Sequence, residues 1–305
     1  MSRPRVVVVL PVHNRRDTTL RALRSLARLD RSTADVEVIV VDDGSTDGTT
    51  AAIAAQSPDV TVVPGNGSLF YAAGTNLGVT HALERHPDFI VIANDDAVFS
   101  SGCVRELVHC AQAHPRAVVG ALLLRWDAPP LTFQVGQRWD TWFGGWHVPQ
   151  RLSAFACPRQ PWQSETLPGN CILVPAAAFR EAGLLDAARF PHHGADVELC
   201  ARLKRRGWTL LTAPGARVFC EPNRYPAPLH SLSPARLAYT LFRDRVHPLH
   251  LPTLWRSRIV SGPTPLAGAV AAAVYTARMG CRAAGLGAWP EWPDPRVPGS
   301  AEGTR

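Results

Sequence analysis

The segment RVVVVLPVHNRRDTTLRALRSLARL spans residues 5–29, and VEVIVVDDGSTDG follows at 36–48. Arg5 to Val12 is an almost unbroken apolar run, the mark of a strand covered on both faces. Asp17 to Leu29 then sets Leu20, Leu23, Leu26 and Ala27 at helical spacing. Val36 to Val41 is a second buried run, closed by the turn signal Asp42-Asp43-Gly44-Ser45. The rhythm continues. The pattern predicts a helix over Thr49–Gln56, a strand over Val60–Val63, a helix over Gly74–Arg85 and a strand over Phe89–Ala93. A helix over Ser101–Ala113 and a strand over Ala117–Leu124 follow. Alternation of this kind makes an α/β fold, with a mostly parallel central sheet and helices on both faces.

Beyond Leu124 the pattern loosens. Arg125 to Glu165 carries Trp126, Trp139, Trp142, Trp146 and Trp162 among prolines and paired glycines. It reads as loops with a small antiparallel piece, its tryptophans core or lid residues. Gly169–Pro175 reads as a strand feeding a helix through Ala182. A helix over Val197–Arg206 and two short strands at Trp208–Thr212 and Arg217–Phe219 follow.

The chain has 305 residues, 46% apolar and 19% charged, a globular balance. Seven cysteines without a CxxC pair argue against a disulfide framework or a zinc module and fit a reduced, cytoplasmic setting. The N-terminal apolar run reads as a strand and not as a secretion signal. The formal net charge is +7, and Lys204 is the only lysine. Up to Pro222 the net is +1; residues 223–305 hold ten arginines against four acids, a net +6. That excess suits anionic lipid, lipid-linked phosphate or nucleic acid, or else a solvated arginine face; without a recognition-module pattern, nucleic acid is not expected. Residues 1–222 are therefore read as one α/β domain. Residues 223–305 are read as a basic, mainly helical extension with a frayed, proline-rich end. Leu266–Ala277 is too short for a bilayer span and reads as a core or interfacial helix.

Ligands of open parallel sheets gather beyond the carboxyl ends of the strands. Three such ends are polar here: Pro11-Val12-His13-Asn14, Asp42-Asp43-Gly44-Ser45 and Asn94-Asp95-Asp96. Carboxylates converging on one edge repel one another unless a cation or donor-rich ligand is present. Mg2+ or Mn2+ would suit, using one carboxylate and ligand phosphates. The same aspartates also serve as turn and cap residues in many proteins. A phosphate loop, a GxGxxG turn and a GxSxG elbow are all absent, and His192-His193 lacks a second ligand pair at zinc spacing.

Six segments in order resemble family 2 glycosyltransferases of the GT-A fold, over about Arg5 to Pro222. They are VVVVLPVHNR, VIVVDDGSTDGT, GNGSLFYAAGTNLGV, IVIANDDAVFS, LPGNCILVPAAAFREAGLLD and FPHHGADVELCARLKRRGW. The third resembles rhamnosyl- and galactofuranosyltransferase-like members. The fourth is an NDD version, Asn94-Asp95-Asp96, of the DxD metal signature. The resemblance implies that Asp43, with Asp42, accepts hydrogen bonds from base or ribose. It implies that Pro11, His13 and Asn14 shape that pocket, and that Gly67, Ser68 and Asn76 line the nucleotide side. Asp96 would bind the divalent ion, Asp95 would touch sugar or ribose, and Asp196 would be the general base. The donor would be a UDP- or dTDP-linked sugar and the acceptor a glycan on a lipid carrier. The basic tail would lie against the inner membrane face.

The sequence departs from the family at three places. Ala195 stands beside Asp196 where the family often has Glu, Thr75 where many have Arg, and Cys220 where a metal-ligating His often stands. A helix cap is the structural alternative for Asp196, and a small buried hydrophobe for Cys220. The departures keep open a non-catalytic sugar-nucleotide-binding homologue. A sugar nucleotidyltransferase is a further alternative, although PVHNRR lacks that class's glycine-rich loop.

Overall fold

The computed structural model describes residues 3–134, 138–147, 152–221 and 232–283. Strand β1 (Arg5–Val12) leads through α1 (Arg16–Leu26) to β2 (Asp35–Asp42). Then come α2 (Thr49–Gln56), β3 (Thr61–Pro64), α3 (Phe70–Leu83) and β4 (Phe89–Ala93). β1 lies between β2 and β4, with β3 outside β2, and all four are parallel. Val6 to Leu10 are each at most 1% exposed, so the run shows no polar alternation. Val6, Val8 and Leu10 share a cluster with Leu20, Leu23 and Leu26 of α1. Val7 and Val9 share the opposite cluster with Ala72, Val79 and Ala82 of α3. The two helices therefore cover opposite faces of the sheet.

Next come β5 (Ala97–Phe99), α4 (Cys103–Ala113) and β6 (Ala117–Arg125), followed by short strands β7 (Thr132–Gln134), β8 (Arg138–Asp140), β9 (Gly145–His147) and β10 (Trp162–Gln163). β8 and β9 form a hairpin, the small antiparallel piece expected. The body ends with β11 (Cys171–Pro175), α5 (Ala176–Ala182), α6 (Ala195–Arg205) and β12 (Thr209–Cys220). The main sheet has ten strands in the order β10-β12-β6-β11-β4-β1-β2-β3, with β5 on β12 and β7 on β6.

Two departures from the expected pattern have clear causes. β11 runs antiparallel between β4 and β6. Among the described residues no crossover α-helix precedes it, and the chain enters from the other end of the sheet. The two short strands around residues 208–219 are one twelve-residue strand, β12. A register shift between Ala213 and Arg217 carries the strand through Pro214 and Gly215, which lie between the two expected pieces.

The tail folds as α7 (Pro234–Phe242), α8 (Leu251–Ser261) and α9 (Pro265–Ala283). The 222/223 boundary and the proline-rich end from Trp289 lie outside the described residues. Leu266–Ala277 is packed along one side, whereas Leu266 itself is 75% exposed. Gly268, Ala271 and Ala272 are buried in α9, which crosses α8 closely. A Cβ on Gly268 would stand 2.4 Å from the Arg258 carbonyl oxygen and 2.6 Å from the Ile259 Cα. Trp139 and Trp146 meet edge to face at 5.1 Å, and the Trp146 indole N–H donates to Ser261 Oγ at 2.7 Å. These two tryptophans fasten the hairpin to the tail, whereas Trp142 is 78% exposed. Arg258, 8% exposed, donates from Nε to the Gly144 carbonyl at 2.7 Å and lies 4.0 Å from the Tyr275 ring centre. α8 also reaches the start of α6: a Cβ on Gly194 would stand 3.0 Å from Ser257 Oγ.

Gly268→Val should therefore push α9 off α8 and cost about 1–3 kcal/mol. Thermal unfolding checks this; an unchanged Tm would mean that the two backbones are not in contact.

Candidate active site

The polar strand ends meet at one edge of the sheet. At the end of β1, His13 Nδ1 lies 2.6 Å from the Asp43 carbonyl oxygen. A carbonyl only accepts, so Nδ1 carries the proton. Asn14, with φ 51°, accepts from Thr46 N at 2.7 Å, and its own N–H donates to Ser45 Oγ at 2.8 Å. Pro11 faces α3, where a Cβ on Gly74 would stand 3.1 Å from the proline Cβ.

At the end of β2 both aspartates are buried. Asp42 accepts from Ser45 N at 3.0 Å and from the Thr50 hydroxyl. Asp43 accepts from the backbone N–H groups of Gly67 at 2.7 Å, Leu69 at 2.8 Å and Phe70 at 3.2 Å. Its charge thereby caps α3, which starts at Phe70, four residues before the expected Gly74. Gly67 adopts φ 85°, and a Cβ on Gly44 would come 3.0 Å from the Gly67 Cα, so the two turns touch. Ser68 bonds Asn66 through both its N–H and its hydroxyl. Asn76 is turned to the helix side: its amide exchanges two hydrogen bonds with the Leu185 backbone, at 2.8 and 2.9 Å.

At the end of β4, Asn94 N–H donates to the Asn170 carbonyl at 3.3 Å. Asp95 is 4% exposed and accepts from Arg15 Nη1 at 2.9 Å and from the Thr19 hydroxyl at 3.4 Å. Burial pushes its carboxyl up to about 6, against the pull of Arg15. Asp96 Oδ2 is 3.5 Å from Arg15 Nη2, while its Oδ1 is buried without a hydrogen-bond partner. Burial raises this carboxyl as well. An orphaned carboxylate oxygen fits a hard divalent cation that takes one protein ligand and completes its shell with phosphate. Among the described residues, no group of three or more His, Cys, Asp or Glu is placed to hold a metal. Cys220 is fully buried, and burial raises its thiol well above the usual range. It is a neutral thiol, a poor partner for such an ion.

Asp196 sits in the first turn of α6, behind the N-cap residue Gly194 at φ 85°. It is not itself the cap. Its carboxylate accepts from Gly169 N at 2.8 Å and Val197 N at 2.9 Å, and burial raises its pKa. Neighbouring Glu198 is committed to Arg202, at 3.0 and 2.7 Å. Asp196 thus stands without a second free carboxylate beside it.

Three residues were not assigned roles from sequence. Tyr71 donates to the Gly169 carbonyl at 3.3 Å, next to the N–H that holds Asp196. Burial and the Asp196 charge push its phenol well above the usual range, so it remains a donor. Its ring meets His192 edge-on at 6.4 Å, and His192 meets His193 at 4.6 Å. Phe70 is exposed in the left-handed region, at φ 55°. Arg15 bridges Asp95 and Asp96. Its only sequence signal is a basic residue just past the first strand end.

Contacts join these loops into one set: His13 to Asp43, Asp43 to the start of α3, Tyr71 to Gly169, Gly169 to Asp196, Asn94 to Asn170, and Arg15 to the Asp95-Asp96 turn. A sheet edge of this kind, with carboxylates from two strand ends and one helix start, is a ligand-binding edge of an α/β enzyme. The family description "Glycosyl transferase family 2" matches residues 7–162, and the chain belongs to that family. It is 30% identical over 219 residues to galactofuranosyltransferase GlfT1 of Mycolicibacterium smegmatis, covering 68% of this chain and 69% of the relative. It is 29% identical over 219 residues to an N-acetylglucosaminyl-diphospho-decaprenol L-rhamnosyltransferase of Mycobacterium tuberculosis, covering 64% of this chain and 70% of the relative. The crystal structure of GalNAc-T7 with UDP, GalNAc and Mn2+ superposes with a TM-score of 0.60 at 16% identity. That match covers 80% of this chain and 49% of the neighbour, so the chain spans about half of the neighbour's length. The shared fold is the expected GT-A arrangement, and the chain is a glycosyltransferase.

Because the fold raises the Asp95 pKa, its ionisation weighs against folding above about pH 6 and is relieved as pH falls through that value. Arg15 offsets the charge only while it exists. Arg15→Ala should therefore lower Tm more at pH 8 than at pH 5, by thermal unfolding of the ligand-free protein. Equal losses at both pH values would mean that Arg15 acts through packing alone.

Proposed function

We propose that this chain is an inverting, metal-dependent glycosyltransferase. It moves a sugar from a UDP- or dTDP-linked donor to a hydroxyl of a lipid-linked glycan acceptor. The observation that carries the reading is the unpartnered, buried Oδ1 of Asp96, linked through Asn94, Asn170 and Gly169 to the carboxylate of Asp196. One site asks for a cation, and the other is a carboxylate of raised basicity at the same edge.

Asp42 and Asp43 build the nucleotide side by holding the turns at 44–45 and 67–70, with Pro11, His13 and Asn14 behind them. Asp96 would hold the ion, and Asp95 with Arg15 would border it. A divalent ion bound there would neutralise charge on the departing nucleoside diphosphate. Asp196 takes the proton from the acceptor hydroxyl as that oxygen attacks the anomeric carbon. The bond from that carbon to the diphosphate oxygen breaks on the opposite face. One displacement inverts the configuration, and no covalent enzyme intermediate forms. The relatives' names, one carrying a diphospho-decaprenol acceptor, support a lipid-linked acceptor.

Asp196→Asn should lower transfer by about 10²–10⁴-fold while leaving Mn2+-dependent nucleotide binding intact. Asp96→Asn should remove the metal dependence of that binding. Transfer at the parental rate in Asp196→Asn would overturn the base assignment. The transfer reading itself fails if no UDP- or dTDP-sugar is consumed and none shifts Tm in the presence of Mn2+.

A further inference from the structure

Helix α7 wears its apolar stripe on the outside. Ala235, Ala238, Tyr239 and Phe242 recur at i, i+3, i+4 and i+7, the spacing that normally faces a core. All four are exposed, Tyr239 by 50% and Phe242 by 58%. The inward side is Thr240, with Leu237 and Leu241 half-buried. The helix is nevertheless held in place. Ser233 Oγ accepts from Arg236 N at 3.4 Å, Pro234 occupies the first turn, and the buried His250 reaches the Phe242 carbonyl at 3.3 Å. Arg236 and Arg243 are exposed beside the stripe, with the Arg236 guanidinium 5.6 Å from the Tyr239 ring centre. Residues 234–242 include no acidic side chain.

We propose that α7 lies in the surface of an anionic lipid bilayer, with Tyr239 and Phe242 entering the headgroup boundary and Arg236 and Arg243 meeting lipid phosphate. This goes beyond the transfer reaction and does not depend on it. An outward apolar stripe rimmed by arginine is the pattern of a helix that lies on a membrane. The charge of residues 223–305, ten arginines against four acids, complements anionic headgroups. A second copy of the chain would bring the same positive segment against itself, which like charges oppose. Among the described residues no helix is long and apolar enough to cross a membrane, so contact through α7 is contact at the surface. The long apolar helix of the tail, α9, does not compete for this role along its buried side, because Gly268, Ala271 and Ala272 face α8.

The test is co-sedimentation of the full chain with vesicles of phosphatidylcholine alone and of phosphatidylcholine mixed with phosphatidylglycerol. The parent should prefer the mixed vesicles and lose that preference in high salt. Tyr239→Ser with Phe242→Ser should weaken binding roughly tenfold or more. Arg236→Glu with Arg243→Glu should abolish the preference for anionic lipid. Tm and Mn2+-dependent nucleotide binding should stay at parental values in both variants, which separates a failed surface from a failed fold or active site. Equal binding to both vesicle types, or parental binding by the Tyr239/Phe242 variant, overturns the proposal. So does a dimer, seen by light scattering, that the same substitutions dissociate.

Discussion

Three backbone N–H groups converge on one buried carboxylate, that of Asp43, and much of the site's geometry follows from this. Hydrogen bonds to a charged acceptor are worth about 1.5–3 kcal/mol each. Here they bind Gly67, Leu69 and Phe70 to the end of β2 and fix where α3 begins. The next residue, Tyr71, touches the Gly169 carbonyl, and the Gly169 N–H holds Asp196. His13 closes the circuit from β1 by donating to the Asp43 carbonyl. The position of the proposed base on α6 is thus traceable to a carboxylate at the end of β2.

The sheet was readable wherever a strand is buried on both faces. β1, β2 and β4 are short apolar runs ending in polar turns, and they form where the pattern puts them. Direction was not readable: the run Cys171–Pro175 has no feature that says antiparallel, because direction depends on the long connection before it. The continuity of β12 was hidden as well: a proline normally interrupts a ladder, yet β12 carries Pro214 and Gly215 as an irregularity. The early start of α3 was hidden for a different reason. Its cap comes from Asp43, more than twenty residues upstream, and no local residue signals it.

The site shows the same division. The aspartates of Asp42-Asp43 and Asn94-Asp95-Asp96 stood out because three polar turns closed three apolar strands. The structure shows how many of their oxygens already have internal partners, which no sequence pattern reports. Asn76 spends its amide on Leu185, 109 residues away, and Arg15 pairs with Asp95 across 80 residues. Contacts of that span exist only once the sheet has formed. Trp139 and Trp146 were equally ambiguous. Their role as the clasp between hairpin and tail depends on α8 and α9, whose placement the composition shift near residue 222 does not give.

The buried Arg258 has a consequence for how the tail stays attached. Its partners are the carbonyls of Gly144 and Leu254 and the face of the Tyr275 ring, and none loses its attraction when the medium turns acidic. Burial also shelters the contact from dissolved ions. The joint between tail and body is therefore built to outlast acidification and brine, conditions that loosen carboxylate pairs elsewhere on the surface. Segments anchored this way keep their orientation when the surrounding electrolyte changes.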